Sequence, residues 1–156
     1  MTFINEKYAG QALALLRIVT ALLFIQHGTA KLFDFPHADL PAAMLGIPTV
    51  AIGVLELVGG VLVLIGLFTR PAALILAGEM AVAYFAVHAS KSMYPLQNGG
   101  DAAILFCFVF LYLAAAGAGP WSIDNREEDD EPGVEGYAAP GGERQYRPED
   151  FGDKVI

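Results

Sequence analysis

The sequence predicts an all-α protein that forms a four-helix bundle in a membrane and ends in a disordered acidic segment. Of the 156 residues, 55% are hydrophobic, and they gather in four apolar blocks separated by short polar connections. Each block has roughly 18 to 25 residues, about the length that a helix needs to cross a ~30 Å hydrocarbon layer. Helices are the expected form of these blocks because every backbone polar group must be paired inside lipid.

The order of the elements follows from the apolar blocks and the residues at their ends. Within a transmembrane domain of residues 1–121, helices are expected at about 9–33, 48–68, 71–90 and 101–119. The first block contains Arg17 and lacks a small-residue cleavage site, so we expect a retained helix rather than a signal peptide. Pro48 and Pro71 stand at helix starts, where the missing N–H of proline is tolerated. Trp121 follows the fourth helix, as is typical of a membrane interface.

The net charge of the chain is concentrated in residues 122–156. This segment has eleven acidic and four basic residues, a balance of −7, whereas the rest of the chain has six acidic and five basic residues. The segment is rich in Gly and Pro and lacks apolar periodicity, which predicts a disordered segment that is either solvated or docked on a partner. No basic surface indicates a nucleic-acid partner. Lys7, Arg70 and Arg126 favour a cytoplasmic location of both termini.

Four polar residues and one phenylalanine form a stripe along the first helix. With spacings of three and four residues, the stripe consists of Arg17, Thr20, Phe24, His27 and Lys31. Such spacing places side chains on one face of a helix. Polar groups that face lipid are costly, so we expect this face to point into the bundle, with Gln26 at its edge.

Two carboxyl groups are expected deep in the membrane, Glu56 on the second helix and Glu79 on the third. Counted from the helix ends, Glu79 lies at the depth of Arg17, which predicts a structural ion pair between them. Glu56 lies nearer the outer end of the bundle, at the level of His27 and Lys31. This outer layer is either a packing network or a site for a ligand or a proton relay. The candidate residues for that site are His27, Lys31, Glu56 and His88, with Gln26, Asn98 and Asp101 as supporting polar residues.

Several other features limit the chemistry of the chain. Gly53 and Gly60 lie a heptad apart, which is typical of close helix packing and would also leave room for a flat ring. The single cysteine, Cys107, cannot form a redox pair within the chain. His27 and His88 could ligate a haem iron, but no further haem signature accompanies them, so haem is disfavoured. The sequence contains no metal-binding, phosphate-loop or Ser-His-Asp motif.

Three segments in combination resemble the DoxX family of small bacterial four-helix membrane proteins. They are RIVTALLFIQHGTAKLF, LELVGGVLVLIGLFTRPAA and NGGDAAILFCFVFLYLAAAGAGPWSID. The resemblance covers residues 10 to about 125, with Asp101 where the family more often has Glu. It implies a multi-pass protein of the bacterial inner membrane. Because the family takes its name from a subunit associated with thiosulfate:quinone oxidoreductase, it also implies association with a membrane redox assembly.

The leading hypothesis is therefore a membrane subunit of a redox or quinone-linked assembly. Glu56 and His27 would handle protons, while Lys31 and His88 would orient a carbonyl oxygen of the quinone. No redox centre is visible in the sequence, so catalysis by this chain alone is left open and electrons would come from a bound cofactor or a redox partner protein.

The alternative hypothesis is a non-enzymatic membrane scaffold or assembly factor whose acidic segment docks a partner. Self-association of the chain is compatible with either hypothesis. A transporter is disfavoured because four short helices leave little room for alternating access.

Overall fold

A computed structural model of the chain describes the backbone of residues 6–38 and 47–130 and the side chains of residues 8–38 and 49–126. The described helices are α1 (Glu6–Phe33), α2 (Ile47–Ile65), α3 (Thr69–Ala83), α4 (Pro95–Asn98), α5 (Asp101–Ala116) and α6 (Ile123–Asp130). A π-helical turn, Tyr84–His88, continues α3 directly. The predicted all-α class is confirmed for the described part of the chain, which contains no strand.

The helices pack as two pairs, with α1 against α2 and α3 against α5. The pairs meet mainly through α2 and α3, with a smaller contact between α1 and α5. Fully buried apolar side chains fill the space between the pairs. Among them are Phe24, Val63, Leu76, Phe110 and Leu113. The core is therefore a narrow seam, and most of each helix surface faces outward.

Close approach of α1 and α2 depends on glycine. A Cβ atom on Gly28 would lie 2.7 Å from the backbone N of Leu57 and 2.9 Å from the carbonyl oxygen of Gly53. A Cβ atom on Gly53 would lie 3.0 Å from the Cβ of Lys31. Small residues let helix backbones approach in this way. The contact holds the backbone of Lys31 directly over α2, which positions the site described below.

The outer surface of the helices is strongly apolar. Tyr8–Phe33 and Thr69–His88, of 26 and 20 residues, are long and apolar enough to cross a membrane, while Thr49–Ile65 and Asp101–Ala116 are shorter apolar helices. Large exposed apolar side chains occur on all four, including Leu15, Val19, Leu23, Val58, Ile75, Phe85, Leu105 and Phe108. Apolar exposure on this scale is typical of a surface that contacts lipid or another protein.

The structure differs from the prediction at the start of the acidic segment, because residues Ile123–Asp130 form helix α6. The Ser122 Oγ accepts a hydrogen bond from the N–H of Asn125 at 3.3 Å, which caps the helix. The Asp124 carboxylate accepts the N–H groups of Phe68 and Thr69 at 2.8 and 2.9 Å. These contacts attach α6 to the start of α3, and composition alone does not reveal them. The remainder of the predicted disordered segment, residues 131–156, lies outside the described residues.

Candidate functional site

A buried ion pair connects α1 and α2. The Lys31 Nζ lies 2.6 Å from both carboxylate oxygens of Glu56. Only 9% of the Lys31 side chain and 2% of the Glu56 side chain are exposed. Lys31 is close to the end of α1, where a lysine side chain commonly extends outward to the membrane surface. Here it turns inward instead, and Glu56 compensates its charge in the interior.

A second carboxyl group approaches this pair from α3. Glu79 lies close enough to Glu56 and Lys31 for its carboxyl group to interact electrostatically with both. The Glu79 Oε2 is buried and has no hydrogen-bond partner within the described part of the chain. We call Lys31, Glu56 and Glu79 the charged cluster. It joins α1, α2 and α3, and the Oε2 atom of Glu79 remains available as a hydrogen-bond acceptor.

The predicted ion pair between Arg17 and Glu79 is wrong. The fully buried Arg17 guanidinium donates instead to main-chain carbonyl oxygens at the end of α2 and in the loop after α5. The acceptors are Val63 at 2.9 Å, Leu64, Ala118 at 2.8 Å, Pro120 at 3.4 Å and Trp121 at 2.7 Å. The carbonyls of a helix C-terminus carry partial negative charge, so they compensate a cation without a carboxylate. The prediction compared only the depths of Arg17 and Glu79 along their helices. It did not consider how far the arginine side chain extends from its own helix.

His27 lies outside the charged cluster. Its side chain is exposed and makes no hydrogen bond to the described residues. The imidazole packs edge-on against Phe106, with ring centroids 5.7 Å apart, and lies 6.2 Å from the Phe24 ring. His27 therefore belongs to an aromatic patch where α1 meets α5, and it faces away from the protein interior.

The remaining predicted site residues make local contacts. The Nδ1 of His88 donates to the carbonyl oxygen of Asn98 at 3.0 Å, which connects the π-helical turn to α4. The buried Asn98 amide donates to the Ser92 carbonyl at 2.9 Å and accepts the N–H of Gly100 at 2.7 Å. Gln26 and Asp101 are exposed. Of the predicted site residues, the structure thus brings together Lys31, Glu56 and Glu79.

Sequence reasoning missed a second polar feature, a cavity of about 400 Å³ between the start of α3 and the loop after α5. Thr69, Arg70, Asp124 and Asn125 are the polar residues that line it. The Arg70 guanidinium donates to the last carbonyl oxygens of α5, including that of Ala114 at 3.1 Å. The signal that could have revealed it is the run Thr-Arg-Pro at the start of an apolar helix, followed much later by Ser-Ile-Asp after Trp121.

Apolar helices joined by a buried charged cluster define the class as a small helical membrane protein. The family profile described as DoxX matches residues 12–89. A relative from Haemophilus influenzae, described as an uncharacterized protein, is 45% identical over 126 residues, which are 78% of this chain and 94% of the relative. The chain belongs to the DoxX family.

A more distant relative carries a functional name. This Bacillus subtilis protein, named "Putative oxidoreductase CatD", is 28% identical over 113 residues, which are 70% of this chain and 82% of the relative. No solved structure matches the chain. The comparisons and the apolar helices together make this chain a membrane protein of the DoxX type.

Proposed function

We propose that the chain is a multi-pass subunit of the bacterial inner membrane with both termini in the cytoplasm. In this arrangement α1, α2, α5 and α3 with its π-helical turn form a four-helix transmembrane bundle. The apolar outer surfaces of these helices support it. Arg70 and Arg126 lie at the same end of the bundle as the start of α1, where the excess of basic residues on cytoplasmic segments would place them.

Within this bundle, the charged cluster serves a redox or quinone-linked assembly by taking up and releasing a proton. Reduction of a quinone to a quinol consumes two electrons and two protons. The electrons would come from a redox partner or a bound cofactor, and the cluster would deliver protons to the quinone oxygens. The observation that carries the proposal is the buried pair of Lys31 and Glu56 with Glu79 beside it. The name of the Bacillus subtilis relative agrees with a redox role.

The third group of the cluster distinguishes it from a structural ion pair. Lys31 and Glu56 already neutralise each other, so helix packing alone would not require Glu79 at this position. Glu79 adds a carboxyl group with a buried, unpartnered oxygen, and a buried polar group without a partner is destabilising. Such a group is expected where a function retains it, because ionisable residues inside a membrane commonly mark proton or ligand sites.

The proposal is tested by measuring quinone in the purified protein. The full chain is extracted from its native membrane in mild detergent, and bound quinone is quantified per chain. The test variant is Lys31→Met with Glu56→Leu, which replaces the pair by apolar side chains and avoids an unpaired charge. Asp101→Asn removes an exposed carboxylate and is the matched control. We expect nearly one quinone per chain in the wild type and in the control, and none in the double variant.

Two results would contradict this proposal. The first is a wild-type protein that retains no quinone under conditions in which it stays folded. The second is a double variant that retains as much quinone as the control, since the charged cluster would then be irrelevant to binding.

A scaffold role is the second candidate function, and the attachment of α6 favours it. Asp124 binds the first residues of α3 and so attaches the start of the acidic segment to that helix. Arg17 binds the loop that precedes the acidic segment. This arrangement places α6, with which the acidic segment begins, at a defined position beside the start of α3. Deletion of residues 131–156 would then release a co-purifying partner protein, whereas the double variant would retain it. The opposite pattern would favour the redox role.

A further inference from the structure

The cavity at the start of α3 lies where a membrane-embedded helix pair would meet the lipid headgroups. The N-terminal end of α3 and the C-terminal end of α5 form its walls. Phe68, in the cavity wall, and Trp121, in the loop beside it, both have exposed rings. Aromatic rings at helix ends are typical of the membrane–water interface. The cavity is therefore within reach of a lipid headgroup.

The cavity offers one positive and one negative group. The Arg70 guanidinium directs three hydrogen bonds to the carbonyl oxygens of Ala114, Ala115 and Ala116. Because a guanidinium has five N–H donors, two remain for a ligand. The Asp124 carboxylate receives the N–H groups at the start of α3. A carboxylate oxygen has a second lone pair, so Asp124 can still accept from a cationic group.

A third observation indicates that the cavity takes a ligand. Thr69 is fully buried, and its Oγ1 has no hydrogen-bond partner in the described part of the chain. Thr69 lines the cavity. A buried hydroxyl without a partner is uncommon in native structures and needs an explanation. An acceptor oxygen of a ligand in the cavity would supply the missing hydrogen bond.

We infer that this cavity binds the headgroup of a phospholipid that carries both a phosphodiester and a primary ammonium group. The phosphodiester contacts Arg70 and the Thr69 hydroxyl, and the ammonium contacts Asp124. A purely anionic headgroup fits less well because the Asp124 carboxylate would repel it. A quaternary ammonium headgroup fits less well because it has no N–H to donate to Asp124. The inference requires a membrane protein but no quinone.

Native mass spectrometry of the full chain tests this inference. The protein in mild detergent is incubated with equal amounts of phosphatidylethanolamine, phosphatidylcholine and phosphatidylglycerol that share the same acyl chains. We expect phosphatidylethanolamine to be retained preferentially. Arg70→Gln should reduce that retention about tenfold, because a hydrogen bond to a charged group is lost. Arg126→Gln, an exposed arginine that does not line the cavity, is the matched control and should behave as the wild type.

Thr69→Val provides a variant that does not endanger the fold. The Thr69 hydroxyl has no partner in the described chain, so its replacement by a methyl group of similar size should leave the unfolding temperature unchanged or raised. We expect this variant to lose about fivefold in retention of phosphatidylethanolamine. An unchanged lipid preference in the folded Thr69→Val protein would overturn the inference.

Two further results would also overturn it. Equal retention of the three lipids by the wild type would show that the cavity does not select a headgroup. Displacement of the lipid by free glycerophosphoethanolamine at a comparable concentration would assign the site to a soluble ligand with the same phosphodiester and ammonium groups. Failure of free glycerophosphoethanolamine to compete supports the membrane lipid as the source.

Discussion

Helix α1 carries two buried cations that the structure treats differently. The Arg17 guanidinium donates to five main-chain carbonyl oxygens. This number equals the number of its N–H donors. Lys31 instead contacts the carboxylate of Glu56, beside the carboxyl group of Glu79. An arginine bonded to carbonyls cannot change its charge, whereas a lysine with two carboxyl groups can exchange protons. The comparison separates a structural site from a site that can perform chemistry.

Substitution of Arg17 should have the largest effect on stability. Arg17→Met leaves buried carbonyl oxygens at the end of α2 and in the loop after α5 without donors. We expect the free energy of unfolding to fall by about 3–5 kcal/mol, measured by denaturant titration in detergent micelles. Arg17→Lys should not restore it, because an ammonium has three donors and cannot reproduce the planar guanidinium. Full stability in the Lys variant would contradict the account of this site.

Breaking the pair of Lys31 and Glu56 should have the next largest effect. Glu56→Gln removes the carboxylate that contacts the buried Lys31 ammonium, and we expect a loss of about 3–5 kcal/mol in the free energy of unfolding. The double variant Lys31→Met with Glu56→Leu should recover most of that loss because it removes both charges of the pair. If both proteins were equally destabilised, the two side chains would not be coupled as the structure indicates.

The contact that places Lys31 over α2 should be sensitive to one methyl group. Gly28→Ala puts a Cβ atom against the backbone of α2, and we expect a loss of about 1–3 kcal/mol in the free energy of unfolding. Gly78→Ala is the matched control, since its Cβ meets no atom within 4 Å. The control should be neutral or stabilised by about 1 kcal/mol. Equal effects in the two variants would mean that α1 and α2 are not in close contact at Gly28.

Glu79→Gln should have the smallest effect on stability. The amide keeps the shape of the carboxyl group and carries no charge, so we expect a change below about 1 kcal/mol in the free energy of unfolding. The variant should nevertheless lose the exchangeable proton, and bound quinone should decrease with it. Strong destabilisation together with unchanged quinone content would assign Glu79 to the structural side of the comparison.

The sequence was sufficient to predict that the chain is helical and that Lys31 lies near Glu56. Long apolar blocks determine where helices form, and a buried lysine on α1 requires a carboxylate nearby. The partners of Arg17 could not be predicted because they are backbone atoms, which have no signature in the sequence.

The exposed position of His27 follows from helix geometry. Spacings of three and four residues do not show how far each residue is rotated around the helix axis. At 100° per residue, His27 lies about 80° around the helix from Arg17, at the edge of the stripe. The position of Glu79 beside Glu56 was missed for a related reason. It depends on the rotation and the axial position of α3 relative to α2. Counting residues from the helix ends determines neither.

The central claim is that the charged cluster exchanges a proton during redox chemistry, and infrared difference spectroscopy tests it most directly. The full chain with bound quinone is reduced, and the change in absorption by protonated carboxyl groups is recorded. We predict a carboxyl signal, expressed per bound quinone, in the wild type and in Asp101→Asn that disappears in Glu79→Gln. A wild-type protein without this signal, or a signal that persists unchanged in Glu79→Gln, would contradict the account.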